Sequence, residues 1–110
     1  MVLQNCNLKK ELKSDFIGIG VAITGSSCYN LWKMDATERH KLLKFLYSKE
    51  GLNLKIGRLS VGDSDYSEEI YTYDDVWEDT SLENFSIERD KEYIIPIIKE
   101  ILEINPDLVL

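Results

Sequence analysis

Histidine occurs once in this chain, proline and cysteine twice each, and 13 lysines and arginines are set against 20 aspartates and glutamates. Each shortage removes a class of protein. Two cysteines, Cys6 and Cys28, are too few for a disulfide framework or a four-ligand zinc site. A single histidine, His40, lies among lysine and arginine on a helical stretch and reads as a surface residue, so no Cys–His or Ser–His arrangement can be argued. The net charge of −7 leaves no basic face for nucleic-acid phosphates or an anionic membrane. No apolar run approaches the roughly 18 residues of a membrane span. Met1 to Lys13 has no apolar stretch long enough for a secretory signal. What is present is 44% apolar residues in 110, enough for a core and for one domain at most. By this arithmetic alone the chain reads as a small, acidic, soluble, cytosolic domain.

The apolar residues alternate between two periodicities. Phe16 to Thr24 is short, apolar and β-like, loosened by Gly18 and Gly20, and predicts a buried strand. Trp32 is expected to be a packing anchor just before the first helix. Asp35 can cap that helix, with Glu38 three residues on completing a capping box. Leu42, Leu43, Leu46 and Tyr47 form its apolar side, and Gly51 is expected to stop it as a left-handed cap. Leu54 to Val61 predicts a second strand. A second helix is predicted over Asp90 to Ile104, with Ile94, Ile98 and Ile101 as its stripe and Ile95 and Leu102 beside it. Pro96 must sit in its first turn or kink it. After Asn105-Pro106-Asp107, Leu108 to Leu110 begins a third apolar run. Strand, helix, strand, helix, strand start is the order of a parallel α/β sheet or barrel. A sequence stopping three residues into a strand reads as part of a larger fold, ahead of a short edge strand.

The acid is concentrated. From Asp63 to Asp90 there are eleven carboxylates and one base, Arg89, a balance of −10 against +3 for the rest. The same stretch carries Tyr66, Tyr71, Tyr73, Trp77 and Phe85. It fills a 24-residue connection from Gly62 to Phe85, where α/β connections usually take about 2–6 residues. Loops at the C-terminal ends of parallel strands are where such folds bind ligands. Carboxylates accept hydrogen bonds from hydroxyls and ring faces cover sugar C–H faces, so a polyhydroxylated ligand is one reading. A solvated acidic loop pinned by its aromatics is the other. Asp63, Asp65, Ser67 and Asp74 also fall at calcium-loop positions, but Glu68 stands where the sharp turn needs glycine. Arg58, the one charge in the C-terminal half of its strand, needs carboxylate partners if it faces an interior. Gly18-x-Gly20 lacks the third glycine of a dinucleotide fingerprint, since Ile23 occupies that place. Cys28 reads as a small buried residue.

Several segments, in order, resemble glycoside hydrolase family 30, the glucosylceramidase-like enzymes. Gly18-Ile19-Gly20-Val21-Ala22-Ile23-Thr24 is similar to the family's Gly-Phe-Gly-Gly-Ala-x-Thr first strand. Asn53 to Ser67, with Arg58 and Ser64-Asp65-Tyr66-Ser67, is similar to its second strand and Ser-Cys-Asp-Phe-Ser loop. Tyr71-Thr72-Tyr73-Asp74-Asp75, Asn84-Phe85-Ser86-Ile87 and Ile95-Pro96 also match in kind and spacing. The resemblance runs from Phe16 to Leu110, leaving residues 1–15 as a lead-in to a barrel portion at 16–110. It implies the first two strand–helix units and the start of the third strand of a (β/α)8 TIM barrel. It implies retaining hydrolysis of β-glycosides, carbohydrate or glycolipid, by two glutamates after the fourth and seventh strands, both outside this sequence. Asp65 would hydrogen-bond sugar hydroxyls in the glycone site and Arg58 would support the nucleophile's surroundings. No metal or cofactor is implied, and the remainder of the barrel would be needed to close the fold. Family members are often secreted or lysosomal. Val21 in place of the second paired glycine, Gly25 in place of aspartate, Asp63-Ser64 in place of Ser-Cys and Tyr66 in place of phenylalanine are departures. Outside that family, the residues would suit a small α/β binding module with an acidic, aromatic ligand loop.

Overall fold

The structure, a computed structural model, describes residues 15–110, so the lead-in, Cys6 and the signal-peptide question lie outside the described residues. The elements are β1 (Gly20–Ile23), α1 (Gly25–Lys33), α2 (Ala36–Tyr47), β2 (Ile56–Leu59), a 3-10 turn (Glu88–Lys91) and α3 (Ile94–Ile104). β1 and β2 pair in parallel, with Gly20 opposite Ile56 and Ile23 opposite Leu59. Val109 continues the sheet on the far side of β2 through a parallel bridge to Ile56, with Gly57 N donating to Val109 O at 2.8 Å and Val109 N to Lys55 O at 2.9 Å. The sheet therefore runs first strand, second strand, start of the third, as in the opening of a (β/α)8 barrel.

Side chains alternate across a strand, and this fixes the two faces. Ile23 and Leu59 point to the helices, where Ile23, Cys28, Leu43, Tyr47, Leu54, Ile94, Ile97, Ile101 and Leu108 form the core. Gly20, Ala22, Ile56 and Arg58 stand on the opposite face. No described element covers that face.

Several expectations are corrected. The first strand is shorter than Phe16 to Thr24, and Phe16, Ile17 and Ile19 are exposed because they precede the ladder and meet no helix. The connection to β2 holds two helices rather than one. Thr24 caps α1, its Oγ1 accepting from Ser27 N at 3.2 Å, so Trp32 lies within a helix, with the Arg39 guanidinium 5.3 Å from its ring centre. α2 does begin at the Asp35 cap, whose carboxylate accepts from the Thr37 and Glu38 amides. It ends, however, at an extended Ser48, and Gly51 is required for another reason. A Cβ on Gly51 would stand 1.9 Å from the Phe45 carbonyl oxygen, so only glycine lets the chain recross the helix end. The second predicted helix starts at Ile94 rather than Asp90, which places Pro96 in the first turn, where no amide hydrogen is wanted. Its buried face is Ile94, Ile97 and Ile101, with Ile98 packed beside them, so Ile97 belongs to the stripe that periodicity assigned to Ile98. On α2, likewise, Leu43 and Tyr47 are buried while Leu42 is exposed.

Candidate functional site

β2 delivers the chain to the C-terminal edge of the sheet, where Gly62 turns it back. Gly62 adopts φ +83°, and a Cβ there would lie 2.9 Å from the Tyr71 carbonyl oxygen. Two residues later a tight turn closes: Ser67 N donates to Ser64 O and Ser64 N donates to Ser67 Oγ, both at 3.0 Å. Asp65 and Tyr66 occupy its corners, and Tyr66 has φ +66°. A positive φ at the third position is the type II pattern, which favours glycine. Asp65 is exposed at this apex and makes no hydrogen bond or ion pair among the described residues.

Arg58 stands on the open face of β2, in register with Ala22 and beside a shallow depression of about 340 Å³ lined by Gly20, Val21, Ala22, Ile56 and Arg58. It is exposed, and the carboxylate pairing expected of it is not found among the described residues. Arg58 and Asp65 therefore share one strand and the loop that follows it, without bonding to each other.

The acidic loop is not an undifferentiated solvated run, because much of its charge shapes its own backbone. Asp75 accepts from the Thr72 amide and hydroxyl at 2.9 and 2.8 Å, and the Thr72 amide in particular holds its carboxyl below the ordinary range. Asp79 accepts from Asn84 N at 2.7 Å, Asn84 Nδ2 at 3.0 Å and Ser81 Oγ at 3.0 Å, and the Asn84 backbone donor leads in holding its pKa at about 2. These are local side-chain-to-backbone turns. The aromatics divide in two. Tyr71 is buried, and Tyr73 packs edge-on against Phe85 at 5.8 Å. Tyr66 and Trp77 are 93% and 89% exposed.

Asp90 is the residue that composition did not single out. It is buried, and its carboxylate accepts from the Tyr71 hydroxyl at 2.8 Å and the Tyr73 hydroxyl at 2.5 Å. Burial, then the bond to Asp90, push the Tyr71 hydroxyl well above its ordinary pKa, so it remains a donor. A signal existed in Tyr71-x-Tyr73, since residues two apart in extended chain share a face. Arg89 lies 4.9 Å over the Tyr71 ring and pairs with Glu69 at 3.4 Å. Beside this pair, a cavity of about 410 Å³ is lined by Glu68, Glu69, Arg89, Glu92 and Tyr93. Among the described residues no group of three histidine, cysteine or acidic side chains stands where it could hold a metal ion, and Asp63, Asp65 and Asp74 are not gathered as a calcium loop would gather them.

Residues 16–110 match the family model described as the glycosyl hydrolase family 30 TIM-barrel domain. The chain belongs to glycoside hydrolase family 30. Among curated relatives it is 34% identical over 94 residues to putative glucosylceramidase 1 of Caenorhabditis elegans, covering 84% of this chain and 18% of that protein. It is 32% identical over 89 residues to the lysosomal acid glucosylceramidase of Mus musculus, covering 80% of this chain and 17% of that one. A solved endo-β1,6-glucanase superposes with a TM-score of 0.75 at 45% identity over 83% of this chain and 20% of its own. SrfJ from Salmonella typhimurium superposes with a TM-score of 0.77 at 25% identity. The chain thus spans about a fifth of the length of the family 30 proteins it matches, and what it holds is the opening portion of the TIM barrel.

Proposed function

We propose that this family 30 chain supplies the glycone-binding part of a retaining β-glycosidase, with a β-linked carbohydrate or glycolipid as substrate. In this reading residues 16–110 are the barrel's opening portion. Asp65 accepts hydrogen bonds from sugar hydroxyls and Arg58 supports the surroundings of the nucleophile. The observation that carries it is Asp65 held at the corner of a closed turn just beyond β2, exposed and unpartnered among the described residues. A carboxylate fixed in position and left without a partner keeps its acceptor sites for a ligand. Retaining hydrolysis needs two carboxyl groups about 5–5.5 Å apart. In the family pattern both follow later strands than the three begun here, so the chain alone is expected to be inert.

Two assays test this. The pure 110-residue chain should not turn over an aryl β-glucoside, and turnover that disappears on Asp65→Ala would overturn the reading. For the role of Asp65, residues 16–110 replace the matching stretch of the endo-β1,6-glucanase. Asp65→Ala in that chimera should lower kcat/KM about 10- to 100-fold, the effect of losing hydrogen bonds to a charged group worth about 1.5–3 kcal/mol. Unchanged kcat/KM would remove Asp65 from the sugar site.

A further inference from the structure

The buried acid behind the loop has no function in the reading above, yet its bonds lead to Asp65. A buried carboxylate without a cation is costly unless its oxygens are satisfied. Asp90 takes one tyrosine hydroxyl on each oxygen, Tyr71 at 2.8 Å on Oδ1 and Tyr73 at 2.5 Å on Oδ2. Around it stand the Cys28 thiol and the phenols of Tyr71, Tyr73 and Tyr93, while the Arg89 guanidinium lies over the Tyr71 ring and turns to Glu69. We propose that Asp90, acting through Tyr71 and Tyr73, is the positioning residue for the turn that presents Asp65, an inference that rests on Asp65 being the sugar-binding carboxylate.

The path is short and each step is geometrically confined. Tyr71 is held at its hydroxyl by Asp90, and its carbonyl accepts from Asp63 N at 3.0 Å. That carbonyl also lies against Gly62, where a Cβ would be 2.9 Å away, so the chain cannot approach it differently without losing the turn. Asp63 adjoins Ser64, whose amide and carbonyl close the turn with Ser67. Ser67 Oγ in turn lies 3.7 Å from a Cβ built on Gly25, at the start of α1. The second tyrosine secures the other side: Tyr73 O accepts from Ser86 N at 2.7 Å, and its ring meets Phe85 edge-on. A positive φ at Tyr66 persists only where its surroundings hold it, and this clamp is the part of those surroundings that reaches the core.

The test follows amide hydrogen exchange and sugar binding in the full 15N-labelled chain by NMR. Tyr71→Phe keeps the ring and removes one hydroxyl; Asp90→Ala removes both acceptors. Tyr71→Phe should speed exchange at Asp63, Ser64 and Ser67 about tenfold, the effect of one lost hydrogen bond, and Asp90→Ala by at least as much. Exchange at Ile97 and Asn105 in and after α3, and at Ser48 after α2, should not change. Methyl β-D-glucoside should shift the Asp65 amide in the parent, with a Kd about tenfold higher in both variants and largely restored in Asp90→Asn, whose amide oxygen still accepts a hydroxyl. Unchanged exchange at Ser67 in Tyr71→Phe overturns the proposal, as does exchange that rises in step with α3. If Asp90→Ala fails to fold, Tyr71→Phe decides alone. If the parent shows no shift with the glucoside, the sugar reading of Asp65 falls, and the exchange rates still decide the clamp.

Discussion

Tyr66→Gly should leave this chain more stable than Tyr66→Ala does, although both delete the same large aromatic ring. Tyr66 sits at φ +66°, where Cβ crowds the following carbonyl at a cost of about 1–2 kcal/mol for an L-residue. Its side chain is 93% exposed, so almost no packing opposes the change. Glycine removes the crowding but loosens the unfolded chain, which takes back about 0.4–1 kcal/mol. The net expectation is a gain of about 0.5–1 kcal/mol relative to Tyr66→Ala, which keeps the Cβ and with it the strain. With a urea slope of about 1.5 kcal/mol/M for a domain of this size, the midpoint should rise by about 0.5 M. Equilibrium urea unfolding followed by far-UV circular dichroism reads this directly. A Tyr66→Gly midpoint at or below that of Tyr66→Ala would refute the strain argument. In the chimeric barrel Tyr66→Gly should leave far more activity than Asp65→Ala.

Other substitutions separate neighbouring residues that look alike in sequence. Gly51→Ala places a methyl group 1.9 Å from the Phe45 carbonyl oxygen and should cost at least about 2 kcal/mol, read as a fall in the urea midpoint. Leu43→Ala, fully buried, should cost about 2–5 kcal/mol in the same assay, whereas Leu42→Ala should cost well under half of that; equal losses would contradict the observed face of α2. Burial first, then Asp90, push the Cys28 thiol up to about 11 from an ordinary 9.0. The folded state therefore keeps this proton more tightly than the unfolded one, so the stabilisation is complete below pH 9 and is lost as pH rises toward about 11. Tyr71 and Tyr73, also raised, act in the same direction above pH 10. Thermal midpoints measured from pH 7 to 11 in a Cys6→Ser background should fall over that interval, and Cys28→Ala should flatten the earlier part of the fall.

What could be read beforehand was local. The Asp35 cap of α2 needs only the residues beside it, and the start of α3 follows from what Pro96 forbids. The strand order followed from the alternation of apolar runs. α1 escaped because Gly25, Ser26, Ser27 and Asn30 are weak helix formers and only Cys28 and Leu31 turn inward, too few to show a period. Ile98 and Ile97 are adjacent isoleucines, and which of them is sealed depends on where α1 and α2 cross α3, a tertiary fact. Asp65 and Arg58 are proposed as site residues from family resemblance, since spacing alone did not single out their roles. Asp90 was one carboxylate among eleven, and its burial under Tyr71 and Tyr73 exists only once residues 17 and 19 positions apart are brought together.

The Asp90 clamp also divides the long loop into a fixed root and an exchangeable tip. Asp63, Ser64, Ser67, Tyr71 and Tyr73 are tied together through Asp90, the Tyr71 carbonyl and the Ser64–Ser67 turn, while Asp79, Ser81 and Asn84 close the outer stretch on itself. The bond from Ser86 N to Tyr73 O seals the base of that outer stretch. Residues 76–84 thus form a cassette whose length and side chains can change without breaking the bonds at the root, which Asp75 and Phe85 still meet through Thr72 and Tyr73. With Asp65 holding the sugar as proposed, such a loop could alter what surrounds that sugar, through residues such as Trp77, while leaving the contact itself in place.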